Sequence, residues 1–190
     1  MLFTSDKMWF TADQHFFHKN MYKEDFFASG FKRPWRTEAE GRKNIIERHN
    51  SLVKKDDWVI HGGDFAFTSN LMVDRLRPIL EKLNGRHILV LGNHDEIKTQ
   101  KYIDIGFTIT TTSVIMELDN FKIIVIHDSS KVFYLNINLS EYYILCGHVH
   151  THFKILPDKK IINIGVDQWN YYPINFNKIL NELNKCQEKN

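Results

Sequence analysis

Short apolar runs that end in polar residues recur along this chain. Runs of this length, bounded by turn-forming residues, are typical of buried β-strands. The pattern predicts strands at residues 7–12, 57–60, 88–91, 108–118, 121–126, 142–146, 153–156 and 160–164. The turn residues Asp119-Asn120 and Pro157-Asp158 predict that the strands on either side of each turn pair as hairpins.

Apolar residues at helical spacing predict three helices. They begin at Thr37, at Ser69 or Asn70, and at Asn175. Thr37 and Glu40 match a capping box, in which side chains satisfy backbone amides of the first turn. Pro78 removes a helical hydrogen bond, so the second helix is expected to kink or split there. Residues 16–36 follow no period and are predicted as a loop, rich in aromatic and basic residues.

The composition limits the number of domains, the general binding partners and the expected location of the protein. The 190 residues fit one domain, residues 1–190, with a substantial core. The formal charge is +2, from 25 basic and 23 acidic residues, which gives no general attraction to nucleic acid or membranes. No apolar run has signal-peptide length at the N-terminus or approaches the roughly 20 residues that cross a bilayer. Two cysteines form no disulfide framework, so we expect a cytoplasmic protein.

Metal-binding residue types follow five of the predicted strands. They are Asp13 and His15, Asp64, Asn93 and His94, His127, and His148 and His150. Residues i and i+2 of an extended chain point to the same side, so Asp13 and His15 can converge on one ion. Imidazole and carboxylate ligands together suit Mn, Fe, Co, Ni or Zn, and the histidine content argues against Ca and Mg as resting ions.

These positions resemble the calcineurin-like metallophosphoesterase superfamily, whose motifs are D-x-H, G-D, G-N-H-[DE], H and G-H-x-H in that order. The matching residues are Asp13-Gln14-His15, Gly63-Asp64, Gly92-Asn93-His94-Asp95, His127 and Gly147-His148-Val149-His150. The resemblance covers nearly the whole chain and is to small single-domain members of bacterial or phage type. It implies an α/β (α+β) sandwich, in which two stacked β-sheets are flanked by helices.

The resemblance also implies two divalent transition-metal ions. One ion would be held by Asp13, His15, Asp64 and His150. The other would be held by Asp64, Asn93, His127 and His148, so that Asp64 bridges the two. Manganese is the expected metal, with Fe, Ni, Co and Zn as alternatives.

A centre of this kind predicts a metal-dependent phosphoric ester hydrolase. Two divalent ions, two carboxylates and a bridging hydroxide leave a net charge of roughly +1 for an anionic phosphoryl group. Ions about 3.5–4 Å apart would acidify the bridging water and clamp the phosphoryl oxygens for in-line attack by the hydroxide. The expected substrate is a phosphodiester or phosphomonoester of a small or nucleotide-like molecule.

Two other functions are compatible with the motifs. A nuclease for single-stranded nucleic acid would need a basic track, and the near-neutral charge counts against one. An inactive, metal-bound scaffold for protein interactions would be expected to have lost ligands, and all of them are present. The motifs do not indicate an oligomeric state.

Two residues of the G-N-H-D motif are expected to act beside the metals. His94 follows the ligand Asn93 and is not a ligand in the family, so it is placed to protonate the leaving oxygen. Asp95 fits two roles: it could orient His94, or it could cap backbone amides of the loop.

The long segment after the first ligand pair is the expected substrate wall. Within residues 26–36, Arg33 is a candidate phosphate ligand and Trp35 a candidate stacking surface. The alternative is a solvated charged loop whose aromatics pack in the core. Protein Ser/Thr phosphatases of the superfamily carry G-D-x-x-D-R-G, but here Phe67 and Thr68 replace the Asp and Arg, which disfavours that activity.

Overall fold

The computed structural model describes residues 4–24, 31–69, 72–96 and 98–187. The strands in these ranges are β1 (Met8–Thr11), β2 (Trp58–His61), β3 (Arg86–Val90), β4 (Ile109–Thr111), β5 (Ser113–Leu118), β6 (Phe121–Ile126), β7 (Tyr142–Cys146), β8 (Ile155–Leu156), β9 (Ile161–Asn163) and β10 (Ile174–Asn175). The α-helices are α1 (Glu38–Leu52), α2 (Arg77–Leu80), α3 (Thr99–Ile105) and α4 (Phe176–Gln187). Short 3₁₀ helices include Lys19–Tyr22, Val73–Leu76 and Ser129–Leu135.

The strands form two five-stranded sheets. The first has the order β10-β1-β2-β3-β4, in which β1 to β4 are parallel neighbours and β10 is antiparallel to β1. The second has the order β5-β6-β7-β9-β8, with β6, β7 and β9 parallel. Parallel strands place their carboxyl ends at the same edge of a sheet, so each sheet collects its loops there.

Alternation along the strands explains why the sheets stack. In β3, Ile88 and Val90 belong to the core between the sheets, whereas Leu89 faces the helical layer outside. In β6, Ile123 and Val125 face the same central core, and Ile124 packs outward. Successive side chains of a strand point to opposite faces, so both faces of these strands are covered. The fold is therefore the predicted pair of stacked sheets with helices outside.

The first and last predicted helices are confirmed, and one further helix was not predicted. The Thr37 hydroxyl accepts a hydrogen bond from the Glu40 amide at 3.2 Å, and α1 begins at Glu38, directly after Thr37. Helix α3, which follows the G-N-H-D loop, was not predicted. Its buried apolar face consists only of Tyr102 and Ile105, so the sequence shows little helical periodicity there.

The second helical segment begins at Val73, four residues after Ser69, and the alternative cap Asn70 lies outside the described residues. The second predicted helix is split, as expected, into the 3₁₀ turn Val73–Leu76 and α2, and Pro78 lies in the first turn of α2.

The predicted strand 108–118 is divided between the two sheets. Residues 109–111 pair with β3 in the first sheet, and residues 113–118 pair with β6 in the second. The chain crosses from one sheet to the other at Thr112, which the uninterrupted β-branched run does not reveal. The hairpin turn at Asp119-Asn120 is confirmed, and both residues have the positive φ that a tight hairpin turn requires.

Three histidines lie in the packing between α1 and the first sheet. His61 Nε2 is 3.0 Å from His87 Nδ1, and His49 Nε2 is 2.7 Å from the Asn84 carbonyl oxygen. All three are buried. No helix in the described ranges combines the length and the apolar content that crossing a membrane requires.

Candidate metal centre

The strand ends of both sheets meet at one edge of the sandwich. The amide of His148, after β7, donates to the Asp13 carboxylate, after β1, at 3.0 Å. Ligand-type residues here adopt left-handed backbone conformations. Their φ values are 57° for Asp13, 50° for His15, 52° for Asp64, 73° for His148 and 44° for His150. Such conformations cost about 1–3 kcal/mol each and concentrate at functional sites, because surrounding structure has to hold them.

Glycines give these loops the room to approach each other. A Cβ atom on Gly92 would overlap the carboxylate and the amide of Asp64. A Cβ atom on Gly147 would lie 2.8 Å from Asp13 Oδ2, well inside contact distance. The motif glycines therefore allow the two carboxylates to stand against the backbone of neighbouring strand ends.

The first group of ligand-type side chains is Asp13, His15 and His150. One donor atom from each lies within 4.8 Å of the others. The rings of His15 and His150 stack with centroids 5.2 Å apart. The His150 Nδ1 atom is 2.7 Å from Asp167 Oδ2, which leaves Nε2 as the atom that faces the group. A carboxylate behind a histidine in this way is the usual means of fixing the ring of a metal ligand.

The second group is centred on Asp64 and His127, and Asp13 lies within the same 4.8 Å limit. Asp64 Oδ2 is 3.4 Å from His127 Nε2 and 3.5 Å from His15 Nε2. The Asn93 side-chain oxygen extends this group, because it lies 3.0 Å from His127 Nε2 and 2.9 Å from His148 Nδ1. All seven predicted ligands are thereby brought together, while the carboxylate common to both compact groups is Asp13.

His15 provides the test of whether a metal fits. Its side chain is only 2% exposed, yet neither ring nitrogen makes a hydrogen bond within the described residues. A buried polar group without a partner costs roughly 1–3 kcal/mol, and such groups call for a specific explanation. A divalent ion between His15 and Asp64 would satisfy the ring nitrogen, so the donor set fits a metal.

In the metal-free chain, burial and neighbouring charges shift the pKa values of the site residues. Burial raises the pKa of Asp13. Burial also opposes ionisation of Asp64, but the hydrogen bond and charge of His127 outweigh it and lower the pKa of this carboxyl. For His127, burial is outweighed by Asp64 and Asp13, which raise its pKa to about 9. Ionised carboxylates beside basic imidazoles form an environment that a cation can enter by displacing protons.

His94 lies at the margin of the ligand cluster. Its ring centroid is 5.3 Å from that of His15 and 6.1 Å from that of His18. The side chain is half-buried and borders a cavity of about 420 Å³, together with Phe67 and Arg75. His94 is thus beside the candidate ligands and open to a space that could hold a small group. His18 was not singled out in the sequence, although its spacing of three residues from His15 was a signal.

Asp95 has the second of its two expected roles. Its carboxylate accepts hydrogen bonds from the amides of Gly92 at 2.9 Å, Asp64 at 2.8 Å and Phe65 at 3.1 Å. Burial raises its pKa to about 6. None of these contacts involves His94, so they do not support the other expected role, in which Asp95 orients His94. Asp95 instead ties the third ligand loop to the second and so holds Asp64 in place.

The substrate-binding prediction for Arg33 conflicts with its position. The guanidinium is fully buried, and it donates to the backbone carbonyls of Gln14 at 2.6 Å and Asp13 at 2.5 Å. Its Nε also donates to Asp167 Oδ1 at 3.0 Å. Although burial opposes the charge, Asp167 raises the pKa of Arg33. The arginine therefore supports the backbone of the first ligand pair from behind, because its donors are all directed inward.

Trp35 is also turned away from the ligand cluster. Its ring packs edge-on against Tyr171 with centroids 4.5 Å apart, and the Arg48 guanidinium lies 5.4 Å from its centroid. The side chain is half-buried in the helical layer. The packed-aromatic alternative for this segment thus describes Trp35 better than a substrate wall does. Phe26 and Phe27 of the same segment lie outside the described residues.

Asp167 is a site residue that the strand pattern did not single out. It follows β9 by four residues and is fully buried between Arg33 and His150. Like the candidate ligands, Asp167 comes after the end of a central strand. The signal was therefore present in the sequence Ile164-Gly165-Val166-Asp167, which follows an apolar run in the same manner as Gly63-Asp64.

Two proteins without an assigned function are similar to this chain over nearly its full length. MJ1445, an uncharacterized protein of Methanocaldococcus jannaschii, is 28% identical over 184 residues, which cover 94% of this chain and 92% of the relative. The structure of AQ665, a protein of unknown function from Aquifex aeolicus, matches with a TM-score of 0.64 and 24% identity. That match covers 90% of this chain and 96% of the Aquifex chain. This second likeness supports the fold.

A weaker structural likeness is to a novel archaeal phosphodiesterase, with a TM-score of 0.48, 21% identity and coverage of 83% and 81% of the two chains. The family relationship rests on the sequence model. Residues 38–166 match the model of the calcineurin-like phosphoesterase superfamily domain, which is more than half of the chain. This range includes Asp64, His127 and the G-N-H-D and G-H-x-H motifs around which the site is built. The chain therefore belongs to the calcineurin-like phosphoesterase superfamily.

Proposed function

We propose that this protein is a phosphoesterase that depends on two divalent transition-metal ions and hydrolyses a small or nucleotide-like phosphate ester. The observation that carries the proposal is the position of Asp64. Its Oδ2 atom lies between His15 Nε2 and His127 Nε2, at 3.5 and 3.4 Å. A carboxylate oxygen between two imidazoles, each belonging to a separate ligand group, suits a bridge between two ions.

The ligand sets follow from the two groups of side chains. Asp13, His15, Asp64 and His150 would hold one ion, and Asp64, Asn93, His127 and His148 the other. Manganese is the expected metal, with Fe, Ni, Co and Zn as alternatives. Divalent ions held there would offset the charge of the phosphoryl oxygens and acidify water at the site.

The surrounding residues would position these groups and move a proton. Asp95 and Arg33 hold the backbone of the ligand loops through the amides and carbonyls described above. Asp167 fixes the ring of His150 through its Nδ1 atom. His94 would donate a proton from its imidazole to the leaving oxygen, since it borders both the ligand cluster and an open cavity.

Metal stoichiometry tests the bridge. Protein stripped with a chelator and reconstituted with Mn²⁺ should contain close to two ions per chain by elemental analysis. Asp64→Ala should lose occupancy at both positions, whereas His150→Ala should lose one. Asp13→Ala is the informative comparison, because Asp13 is the carboxylate shared by both compact groups. If Asp64→Ala keeps both ions while Asp13→Ala loses both, the bridge belongs to Asp13.

A substrate panel tests the activity. The Mn²⁺-loaded protein should hydrolyse at least one member of a panel containing a phosphomonoester, a phosphodiester, 2′,3′- and 3′,5′-cyclic nucleotides and single-stranded DNA. Chelator and Asp64→Ala should abolish that hydrolysis, which would exclude a contaminating enzyme. A protein that holds two ions and cleaves none of the panel would favour the inactive scaffold. Preferential cleavage of DNA would favour the nuclease.

A further inference from the structure

A second cavity borders the ligand cluster, away from His94. It has a volume of about 390 Å³, within the size range of small-molecule sites. Asn93 and His127, both candidate ligands, form part of its lining. The start of β5, the end of β6 and the 3₁₀ helix Ser129–Leu135 complete it. A group in this cavity would therefore be in reach of a phosphoryl group at the metals.

The lining of this cavity combines apolar side chains with hydroxyl groups, which suits a flat ring with polar edges. Leu91, Ile126 and Leu135 supply apolar surface, and Thr112 and Ser113 supply hydroxyl groups. Small-molecule sites commonly combine an apolar surface with a few polar groups that fix orientation. The cavity thus differs from a purely apolar groove and from a charged phosphate channel.

Tyr134 forms the outer wall and is 86% exposed. Its exposed ring presents an aromatic face on which a base can stack. Lys131 lines the same cavity, and its side chain is 62% exposed. Residues i and i+3 of a 3₁₀ helix are eclipsed, so Lys131 and Tyr134 lie on one face of the helix.

Phe133 provides an internal comparison. It is 77% exposed and belongs to the same 3₁₀ helix, but it does not line the cavity. The Asp128 carboxylate is engaged by the amide and hydroxyl of Ser130 and lies 3.8 Å from Lys131 Nζ. An exposed ion pair of this length is weak, so Lys131 can turn to a phosphate oxygen of a ligand.

We infer that this cavity binds the nucleoside half of a phosphodiester, with its base stacked on Tyr134. The inference rests on the proposed function and makes its substrate class more specific. His94 borders the other cavity and would protonate the leaving oxygen, so the leaving group belongs on that side. The half of the diester that stays on phosphorus then occupies the Tyr134 cavity. A monoester has no such half, so the cavity favours diesters.

Two chromogenic diesters separate the base from the phosphate. Thymidine 5′-(p-nitrophenyl phosphate) carries a base on the retained half, and methyl p-nitrophenyl phosphate does not. Tyr134→Ala should lower kcat/KM on the thymidine ester by about tenfold or more, the effect of losing one stacked base. It should change kcat/KM on the methyl ester less than about twofold. Phe133→Ala, the matched control, should leave both values unchanged.

Binding gives a readout that does not depend on turnover. Thymidine 5′-monophosphate, the product that retains the base, should bind Mn²⁺-loaded wild-type protein in a calorimetric titration. Its Kd should be about tenfold weaker for Tyr134→Ala and unchanged for Phe133→Ala. Equal Kd values for the three proteins, or equal losses of Tyr134→Ala on both esters, would overturn the inference.

The outcomes separate this inference from the proposed function. Hydrolysis of both esters by wild type with no effect of Tyr134→Ala rejects the cavity and keeps the phosphoesterase. Hydrolysis of neither ester and of no member of the substrate panel rejects the phosphoesterase, while the calorimetric titration still decides on the cavity. A single-stranded oligodeoxynucleotide added to the panel identifies the source of the base. If Tyr134→Ala impairs its cleavage as well, the base comes from a strand as readily as from a single nucleotide.

Discussion

Arg33 is surrounded by oxygen atoms from three different residues. Its donors face the carbonyls of Asp13 and Gln14 and both carboxylate oxygens of Asp167. A guanidinium removed from water is stable only while its acceptors remain in place, and the same holds for the carboxylate. The position of the first ligand pair is thereby linked to that of Asp167, and through it to His150.

Removing Arg33 should therefore destabilise the protein. Arg33→Ala leaves a buried carboxylate without its counter-charge, so the free energy of unfolding should fall by about 3–5 kcal/mol. Urea unfolding in the presence of a chelator measures this change without a contribution from metal binding. Arg36→Ala, at an exposed arginine of the same segment, should cost less than about 0.5 kcal/mol. A loss below about 1 kcal/mol for Arg33→Ala would contradict the structural role.

His94 should act on the leaving group. His94→Ala should keep its two ions and lose far more rate on esters with alkoxide leaving groups than on p-nitrophenyl esters, which leave without a proton. General acid catalysis typically contributes about 10²–10⁴-fold, which sets the expected loss on alkoxide esters. Rates for both ester classes, with metal content measured on the same samples, provide the test. Equal losses on both would indicate a positioning role for His94.

At the scale of elements, the strand ends could be predicted because each ligand follows a local apolar run. The acceptors of Arg33 could not be predicted, because they come from residues far away in sequence. For the same reason the sequence left open whether Asp95 caps backbone amides or orients His94. The crossing at Thr112 was missed for a related reason. Both halves of the 109–118 run have strand propensity, and only tertiary packing assigns them to different sheets.

The interface between α1 and the first sheet should respond to acid. Burial lowers the pKa of His49 to about 4 and that of His87 to about 4, whereas the unfolded chain protonates near 6.5. The contribution of these two histidines to the free energy of unfolding should therefore be constant above about pH 7. It should fall as the pH drops from 6.5 towards 4, by up to about 3 kcal/mol for each histidine.

Urea unfolding at several pH values, with chelator present, measures this dependence. His49→Gln removes one proton-binding group while its amide can still donate to the Asn84 carbonyl, so the slope between pH 6 and 4.5 should decrease. His152→Gln, at an exposed histidine, should leave the slope unchanged. An unaltered slope in His49→Gln would show that acid acts elsewhere.

At the scale of the whole molecule, the candidate metal centre draws its residues from both sheets. Asp13 and Asp64 come from the first sheet, and His127, His148 and His150 follow strands of the second. Bound ions would thus act as cross-links between the two layers, in addition to the apolar contacts and the hydrogen bond from His148 to Asp13 that already join them. The ions would also supply the positive charge that the protonated imidazole of His127 provides to the buried carboxylates in the metal-free chain.

Metal removal should consequently lower thermal stability. With Mn²⁺ at about 100 times its Kd, binding adds about 2.7 kcal/mol for each site, and each kcal/mol shifts the melting temperature by about 2–4 °C at this size. Calorimetric scans over a range of Mn²⁺ concentrations should show a rise that chelator reverses. Asp64→Asn should abolish most of the rise, whereas Asp158→Asn, at an exposed position, should keep it. A melting temperature independent of Mn²⁺ would contradict a metal centre between the sheets.

The order of the ligands along the chain has a consequence for biosynthesis. Asp13 leaves the ribosome first, but its partners His148 and His150 are translated only after β7. At about 5–20 residues per second, the wait is roughly 7–27 seconds. A nascent chain therefore cannot assemble the complete ligand set until most of it has been made. We expect that chains terminated before His150 carry no complete metal-binding centre, because the G-H-x-H motif is translated after all the other candidate ligands.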